Sequence, residues 1–361
     1  MTVARPRLQS LIFEVTQACN HACLYCYNVW QGPQATPYPR GQLDTARTLD
    51  LLAKVLDETV CSHVTLTGGE PLLRPDLPQI LEFLQRRRVR VTVISNGRLL
   101  DEPTTASLIQ RGVGLFELPL LSHRRQVHDE LSGAPGAWDA VLAAMANVRL
   151  QHGQVVAAFV ATRKNIEHLR ETVRLAFAFG ARGVMFNRFN PGGRGREHIE
   201  ELLPTVDQVH AALEAAEAAA VEFGLPISCS IPIQPCLVDT SRFPHLGFGF
   251  CAAGSERAYY ALDPLGNLRP CNHTNTILGN LFEETFGDLI TPERMSAFTC
   301  AIPPFCAECA RRLECQGGCK ASAQVCYDSL ATEEPFLRKN QLNAAKIKPA
   351  TTIPIPASFG G

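Results

Sequence analysis

The chain has 361 residues, 46% of them hydrophobic, and a formal net charge of −1. That size allows one large core, or a core with a smaller domain attached. The charge balance leaves no electrostatic footprint for nucleic acid or an anionic membrane, so neither is expected as a partner. No apolar run reaches ~18 residues and no signal-peptide pattern opens the chain, so a cytoplasmic protein is expected.

Short apolar runs alternate with longer amphipathic ones from residue 11 to about 190. The runs at 11–16, 63–67, 89–95, 114–121, 155–162 and 183–187 read as strands, being β-rich and bounded by Gly, Asn or polar residues. Helical periodicity fills 43–58, 77–87, 103–111, 137–152 and 167–179. Strict βα alternation predicts an α/β fold with a parallel sheet and helices outside it, and six units predict a partial (β/α)6 TIM-like barrel. In such a barrel the site lies in the loops after the strands.

The run "PGGRGR" at 191–196 reads as a boundary, closing a core at 1–195. A bridge follows at 196–250, with an Ala/Glu-rich helix near 206–224 and then a Pro/Gly-rich stretch. Residues 251–335 have few periodic runs and most of the cysteines, which predicts a small domain organised by metal. Residues 336–361 read as a Pro-rich, flexible tail.

Fourteen cysteines in a chain without an export signal favour metal ligation over disulfides. Cys19, Cys23 and Cys26 lie in the loop after the first strand. Three thiolates suffice to hold three irons of a [4Fe–4S] cluster and leave the fourth iron bare. A zinc site needs a fourth ligand. His21 is within reach to supply one, although a polar loop residue is the plainer reading.

This CxxxCxxC spacing, with Tyr25 before its last cysteine and Gly68-Gly69-Glu70-Pro71 after the next strand, resembles the radical S-adenosylmethionine (SAM) superfamily. The resemblance implies that the SAM methionine moiety chelates the bare iron. One electron then splits the sulfonium, and the resulting 5′-deoxyadenosyl radical abstracts hydrogen from a substrate. It implies backbone approach to SAM at Gly68 and Gly69, with Glu70 and nearby carbonyls meeting the SAM amino group ahead of Pro71. Ser95 and Asn96 are expected near SAM and Tyr25 near its adenine. Asn165 and Arg188 are candidates for ribose or carboxylate contacts, with loop capping as the alternative. Downstream, His128, Asp129 and Gly133 match a pattern of many relatives, but Ser122 stands where an acidic residue is common, so no catalytic residue is assigned.

The spacing Cys251-x14-Gly266-x4-Cys271, then Cys306-x2-Cys309-x5-Cys315-x3-Cys319 and a final Cys326, is similar to the SPASM extension of that superfamily, which holds two auxiliary [4Fe–4S] clusters. The resemblance implies an inner cluster on Cys251, Cys271 and Cys319, and an outer one on Cys306, Cys309, Cys315 and Cys326. The last spacer is shorter than usual. No cysteine lies between Cys251 and Gly266 to complete the inner set, which leaves an open iron, Cys300, Cys236 or a non-cysteine ligand. A zinc ribbon of Cys306, Cys309, Cys315 and Cys319 is the plainer alternative. Cys61 reads as core, and Cys229 and Cys236 as packing residues or hydrogen-atom donors.

Such enzymes mostly modify ribosomally made peptides by crosslinking, epimerisation or oxidation, so a peptide substrate is expected. The first strand starts too early for a preceding leader-binding domain, which points to a separate leader-binding protein or direct capture. A flavodoxin- or ferredoxin-type electron donor is also expected. The alternatives are a tetrapyrrole-modifying enzyme, suggested by the Gly317–Ala321 run, and a non-enzymatic metal scaffold.

Overall fold

A computed structural model describes residues 5–31 and 38–344, without the side chains of 341–344. Six parallel strands form its centre: β1 (Ser10–Thr16), β2 (His63–Gly68), β3 (Arg90–Ile94), β4 (Val113–Pro119), β5 (Val155–Ala161) and β6 (Val184–Arg188). Their order in the sheet follows the chain. Helices α1 (Thr45–Glu58), α2 (Leu77–Arg86), α3 (Glu102–Gln110), α4 (Arg125–Ser132), α5 (Ala137–Leu150) and α6 (Leu169–Ala178) connect them. This is the expected partial barrel, with α4 added.

Alternation along the strands decides which side chains meet the helices. Phe13, Leu66, Val93 and Phe116 share one register row, are fully buried, and belong to the main apolar core. Their sequence neighbours Glu14 and Glu117 therefore sit on the opposite, lumen-facing side, because successive strand residues face opposite ways.

The sheet does not stop at the expected boundary near 195. Helix α7 (Val206–Phe223) packs on α6, and β7 (Ile227–Cys229) pairs parallel with β6, followed by β8 (Leu246–Phe248). The opposite edge is extended by β9 (Tyr259–Leu262), parallel to β1, and by the antiparallel β10 (Asn267–Arg269) and β11 (Gly279–Asn280). These strands are two to four residues long, too short to give a readable period. Helices α8 (Pro292–Thr299), α9 (Lys320–Tyr327) and α10 (Pro335–Ala344) follow. The tail expected from 336 thus begins as helix, with Phe336 and Leu337 fully buried. Residues 345–361 lie outside the described residues.

Two buried ion pairs fasten the later segments to the barrel. Arg269 on β10 pairs with Glu14 on β1, and Arg188 on β6 pairs with Glu334 at the entry to α10. Among the described residues no helix is long and apolar enough to cross a membrane.

Candidate active site

The loop carrying Cys19, Cys23 and Cys26 leaves the C-terminal end of β1 and is held by backbone contacts from four directions. From β2, Gly69 N–H donates to Thr16 O and Glu70 N–H to Ala18 O, both at 2.8 Å. A Cβ on Gly69 would lie 2.1 Å from Ala18 O, and one on Gly68 2.2 Å from Thr16 O. These glycines therefore serve contact between two backbone segments, where the expectation placed them against the ligand. The Asn28 side-chain amide closes the same side, donating to Gly68 O at 2.9 Å.

The second direction is the turn after β3. Asn96 donates its side-chain N–H to Asn20 Oδ1 at 2.7 Å. The Glu70 carboxylate, 1% exposed, accepts from Leu72 N, Ser95 Oγ and Asn96 N at 3.1, 2.9 and 2.7 Å. Burial raises its pKa to about 6 against the pull of those donors. Glu70 thus ties the turn after β2 to the turn after β3, and Pro71 opens the short 3-10 turn that Glu70 caps.

The third direction is α4. Its C-cap Gly133 is left-handed at φ 56°, and a Cβ there would meet Ala22 O at 2.3 Å, while Leu24 N–H donates to Leu131 O at 2.9 Å. His128 Nδ1 accepts from Leu121 N, and Asp129 accepts from Gly136 N and Trp138 N. The downstream motif is therefore a scaffold that seats the cysteine loop.

The fourth is the 191–196 run, expected as a boundary. Gly195 N–H donates to Cys26 O at 2.9 Å, and a Cβ on Gly193 would lie 2.2 Å from Asn28 O. Arg194 is a cationic neighbour of both the Cys19 and Cys26 thiols. Nothing in its local sequence singled it out, because the contact arises only when β6 and β1 come together.

The donor chemistry suits an iron–sulfur cluster. Cys19, Cys23 and Cys26 are electrostatic neighbours of one another. Burial pushes Cys23 up to about 12 and Cys26 to about 11, so binding a metal must expel their protons. Backbone N–H groups already point at two sulfurs, from His21 to Cys19 and from Asn28 to Cys26. Such bonds tune cluster ligands. His21 is half-buried, with a pKa lowered to about 4 chiefly by burial. Half-buried Tyr25 hydrogen-bonds the Cys23 thiol.

The two weaker candidates for SAM contacts are engaged elsewhere. Asn165 accepts from Thr162 N and Oγ1 and donates to Leu121 O and Val160 O, bracing the ends of β4 and β5. Arg188, 1% exposed, donates to Pro232 O at 3.0 Å, pairs with Glu334 and lies over the Phe336 ring.

Below the loop, the lumen carries polar groups that sequence patterning does not distinguish from ordinary strand residues. Tyr27 stacks on His273 at 4.0 Å between centroids, its hydroxyl accepts from Asn272 at 2.9 Å, and Glu14 and Glu117 are charged neighbours. Burial raises Glu117 to about 7, and no cation pairs with it among the described residues.

The later cysteines fall into two groups. Cys251, Cys271 and Cys319 are mutual neighbours beside Tyr259, and Asn190 donates to Cys319 Sγ at 3.2 Å. This matches the expected inner trio and separates Cys319 from the zinc-ribbon grouping. Cys306, Cys309 and Cys315 form the second group, with Cys236 as a further neighbour. Cys326 lies elsewhere: its neighbours are Ser322, Arg196, Glu334 and Cys319, with its Sγ 3.9 Å from Pro191 O. Cys300 is exposed near Lys320. Cys229 is 3% exposed in the core, and Cys61 packs against that core. Among the described residues, no three His, Cys, Asp or Glu groups are close enough to hold a single metal ion.

Residues 13–176 match the model of the radical SAM superfamily. The chain is 28% identical to the PqqA peptide cyclase of Gluconobacter oxydans over 342 residues, covering 93% of this chain and 91% of that one. It is 26% identical to the PqqA peptide cyclase of Xanthomonas euvesicatoria, covering 99% and 95%. Among solved structures, Streptococcus suis SuiB bound to S-adenosylmethionine superposes with a TM-score of 0.70 at 16% identity, over 91% of this chain and 76% of that one. The enzyme anSMEcpe with bound AdoMet gives 0.69 at 16% identity, over 94% and 92%.

Proposed function

This chain belongs to the radical SAM superfamily with a SPASM-type C-terminal region, and from that premise we propose that it modifies a ribosomally synthesised peptide, held in the mouth of the barrel. The observation that carries this reading is likeness to PqqA peptide cyclases along 93–99% of the chain, which spans both the barrel and the cysteine-rich region.

Cys19, Cys23 and Cys26 would hold the [4Fe–4S] cluster whose open iron takes SAM. Cys251, Cys271 and Cys319 would hold an inner auxiliary cluster, and the Cys306–Cys315 group an outer one. When bound, the reduced cluster and SAM supply one electron and a 5′-deoxyadenosyl radical able to take a hydrogen atom from an unactivated carbon. The chain's own residues place and shield that chemistry. Glu70, Ser95 and Asn96 fix the walls of the SAM pocket through their mutual hydrogen bonds. Tyr25 screens the loop, with SAM's adenine beside it. Glu117 is positioned in the lumen to accept a proton or a peptide N–H. Asn165 and Arg188 set the far rim through backbone bracing.

An external flavodoxin- or ferredoxin-type donor and a separate leader-binding protein complete the system. The test is anaerobic co-expression with short peptides encoded beside this gene, read by mass spectrometry. Loss of two hydrogens in one product supports a crosslink, and deuterium uptake from heavy water supports epimerisation. Iron-loaded protein that forms 5′-deoxyadenosine yet leaves every such peptide unchanged, while altering a small molecule, overturns the peptide reading.

A further inference from the structure

The outer group of cysteines lacks a fourth ligand from its own segment. The expected one, Cys326, sits on α9 against Pro191 O and next to Cys319 of the inner group. The thiol that does approach Cys306, Cys309 and Cys315 comes from the turn between β7 and β8, about 70 residues earlier in the chain.

That turn is firmly placed. Leu237 N–H and Val238 N–H both donate to Gln234 O, at 2.9 and 3.1 Å. The Gln234 side chain is fully buried, and its amide N–H donates to Glu334 at 2.5 Å. A Cβ on Gly318 would lie 2.0 Å from Gln234 Nε2, so the turn lies directly on the Gly317–Gly318 segment. A Cβ on Gly317 would in turn lie 3.6 Å from Cys306 Sγ. At the other end of the turn, Asp239 is a charged neighbour of Arg311, which precedes Cys315 in the chain. Cys236 and Cys309 are both half-buried and pack on the same core, which is apolar enough to shelter a cluster.

We propose that Cys236 is the fourth ligand of the outer auxiliary cluster, in place of Cys326. Four thiolates then complete the coordination of a [4Fe–4S] centre. The inference rests on the auxiliary-cluster reading above. It adds that the bridge between β7 and β8 is stapled to the SPASM region through iron.

The experiment compares full-length wild type, Cys236→Ser and Cys326→Ser after anaerobic reconstitution. It reads iron and sulfide per chain together with Mössbauer and EPR spectra. Cys236→Ser is expected to lose about four irons per chain, or to convert one cluster to a three-iron form, while Cys326→Ser keeps the wild-type iron and spectrum. A SAM-induced change in the signal of the N-terminal cluster reports that each variant is folded. Should Cys236→Ser fail that check, alkylation of wild type decides the matter. Cys236 must be protected in the iron-loaded protein and modified once iron is stripped. A full iron complement in folded Cys236→Ser, loss in Cys326→Ser instead, or alkylation of Cys236 in the loaded protein overturns the assignment. Wild type that binds iron only at the N-terminal loop overturns the auxiliary-cluster reading itself.

Discussion

The Cys19–Cys26 loop and the Cys251–Cys326 region both carry clustered thiols, yet their backbones are held by different means. Around the first loop, Gly69, Gly133 and Gly193 admit backbone contacts that any Cβ would block, and donors from β2, α4 and the 191–196 run pin the chain. The helices behind it are capped by side-chain oxygens: Asp44 on α1, Asp101 on α3 and Thr205 on α7. In the second region strands span two to four residues, and α9 begins at Cys319 with no side-chain cap. A site that must present one open iron in a fixed place is built on rigid backbone. A site whose thiols are all consumed by clusters lets the metal supply the order.

The largest effect separates the two regions outright. Replacing Cys19, Cys23 or Cys26 with Ala should abolish 5′-deoxyadenosine formation while the iron bound by residues 251–326 persists. Iron analysis beside a SAM-cleavage assay checks both halves. Surviving cleavage would detach the loop from its assigned role.

Next comes the glycine scaffold. Gly69→Ala forces a Cβ to within 2.1 Å of Ala18 O, so the loop must shift. A displacement of ~1 Å at a reacting centre costs on the order of 10²-fold in rate. SAM cleavage should fall by about that factor, with the C-terminal iron content unchanged. Equal loss of iron in both regions would mean that the loop and the SPASM region share a single folding unit.

The third test cuts the tie between them. Glu334→Ala leaves the fully buried Arg188 guanidinium without its carboxylate, a change that costs about 3–5 kcal/mol. The expected result is a marked fall in thermal midpoint in both the iron-loaded and the stripped protein, because Arg188 belongs to the barrel and needs no metal to be stranded.

The same contrast explains what the sequence made legible. All six barrel strands and five of their helices were readable, since strands of five to seven residues and helices of nine or more show their period. The short edge strands and α4 were not, because tertiary pairing decides them. Among site residues the three N-terminal cysteines, the GGEP turn and the Ser95–Gly97 turn were evident as motifs. Arg194, Glu117 and the approach of Cys236 to Cys306 were not, as each depends on segments distant in the chain. Glu70 shows a subtler limit: its position was legible, while its bonds to Ser95 and Asn96 were not.

A smaller effect probes the lumen. The folded chain holds the Glu117 proton up to about 7, above the model value of 4.5, because burial disfavours the charged form. The folded state therefore binds more proton than the unfolded one across that window. Its contribution to stability is full below about 4.5 and is lost as pH rises through about 7. Glu117→Gln should remove this slope and stabilise the protein at pH 8 by on the order of 1–3 kcal/mol. Thermal midpoints measured from pH 5 to 8 on both proteins supply the comparison, and parallel curves would show that Glu117 is solvated.

The smallest effect serves as the metal-independent reference. Thr205 caps α7 in a reciprocal box with Gln208, its hydroxyl accepting from Gln208 N at 3.2 Å while Gln208 Oε1 accepts from Thr205 N at 3.0 Å. Thr205→Ala should cost about 1 kcal/mol, equally in loaded and stripped protein, because both partners lie on one local turn. Cys319→Ala, at the start of α9, should instead cost stability chiefly in the loaded form, where its thiolate joins the helix to a cluster. Chemical unfolding of the four samples tests the distinction. If Thr205→Ala proves as iron-dependent as Cys319→Ala, then metal organises the barrel as well, and the division between a backbone-built site and a metal-built one falls.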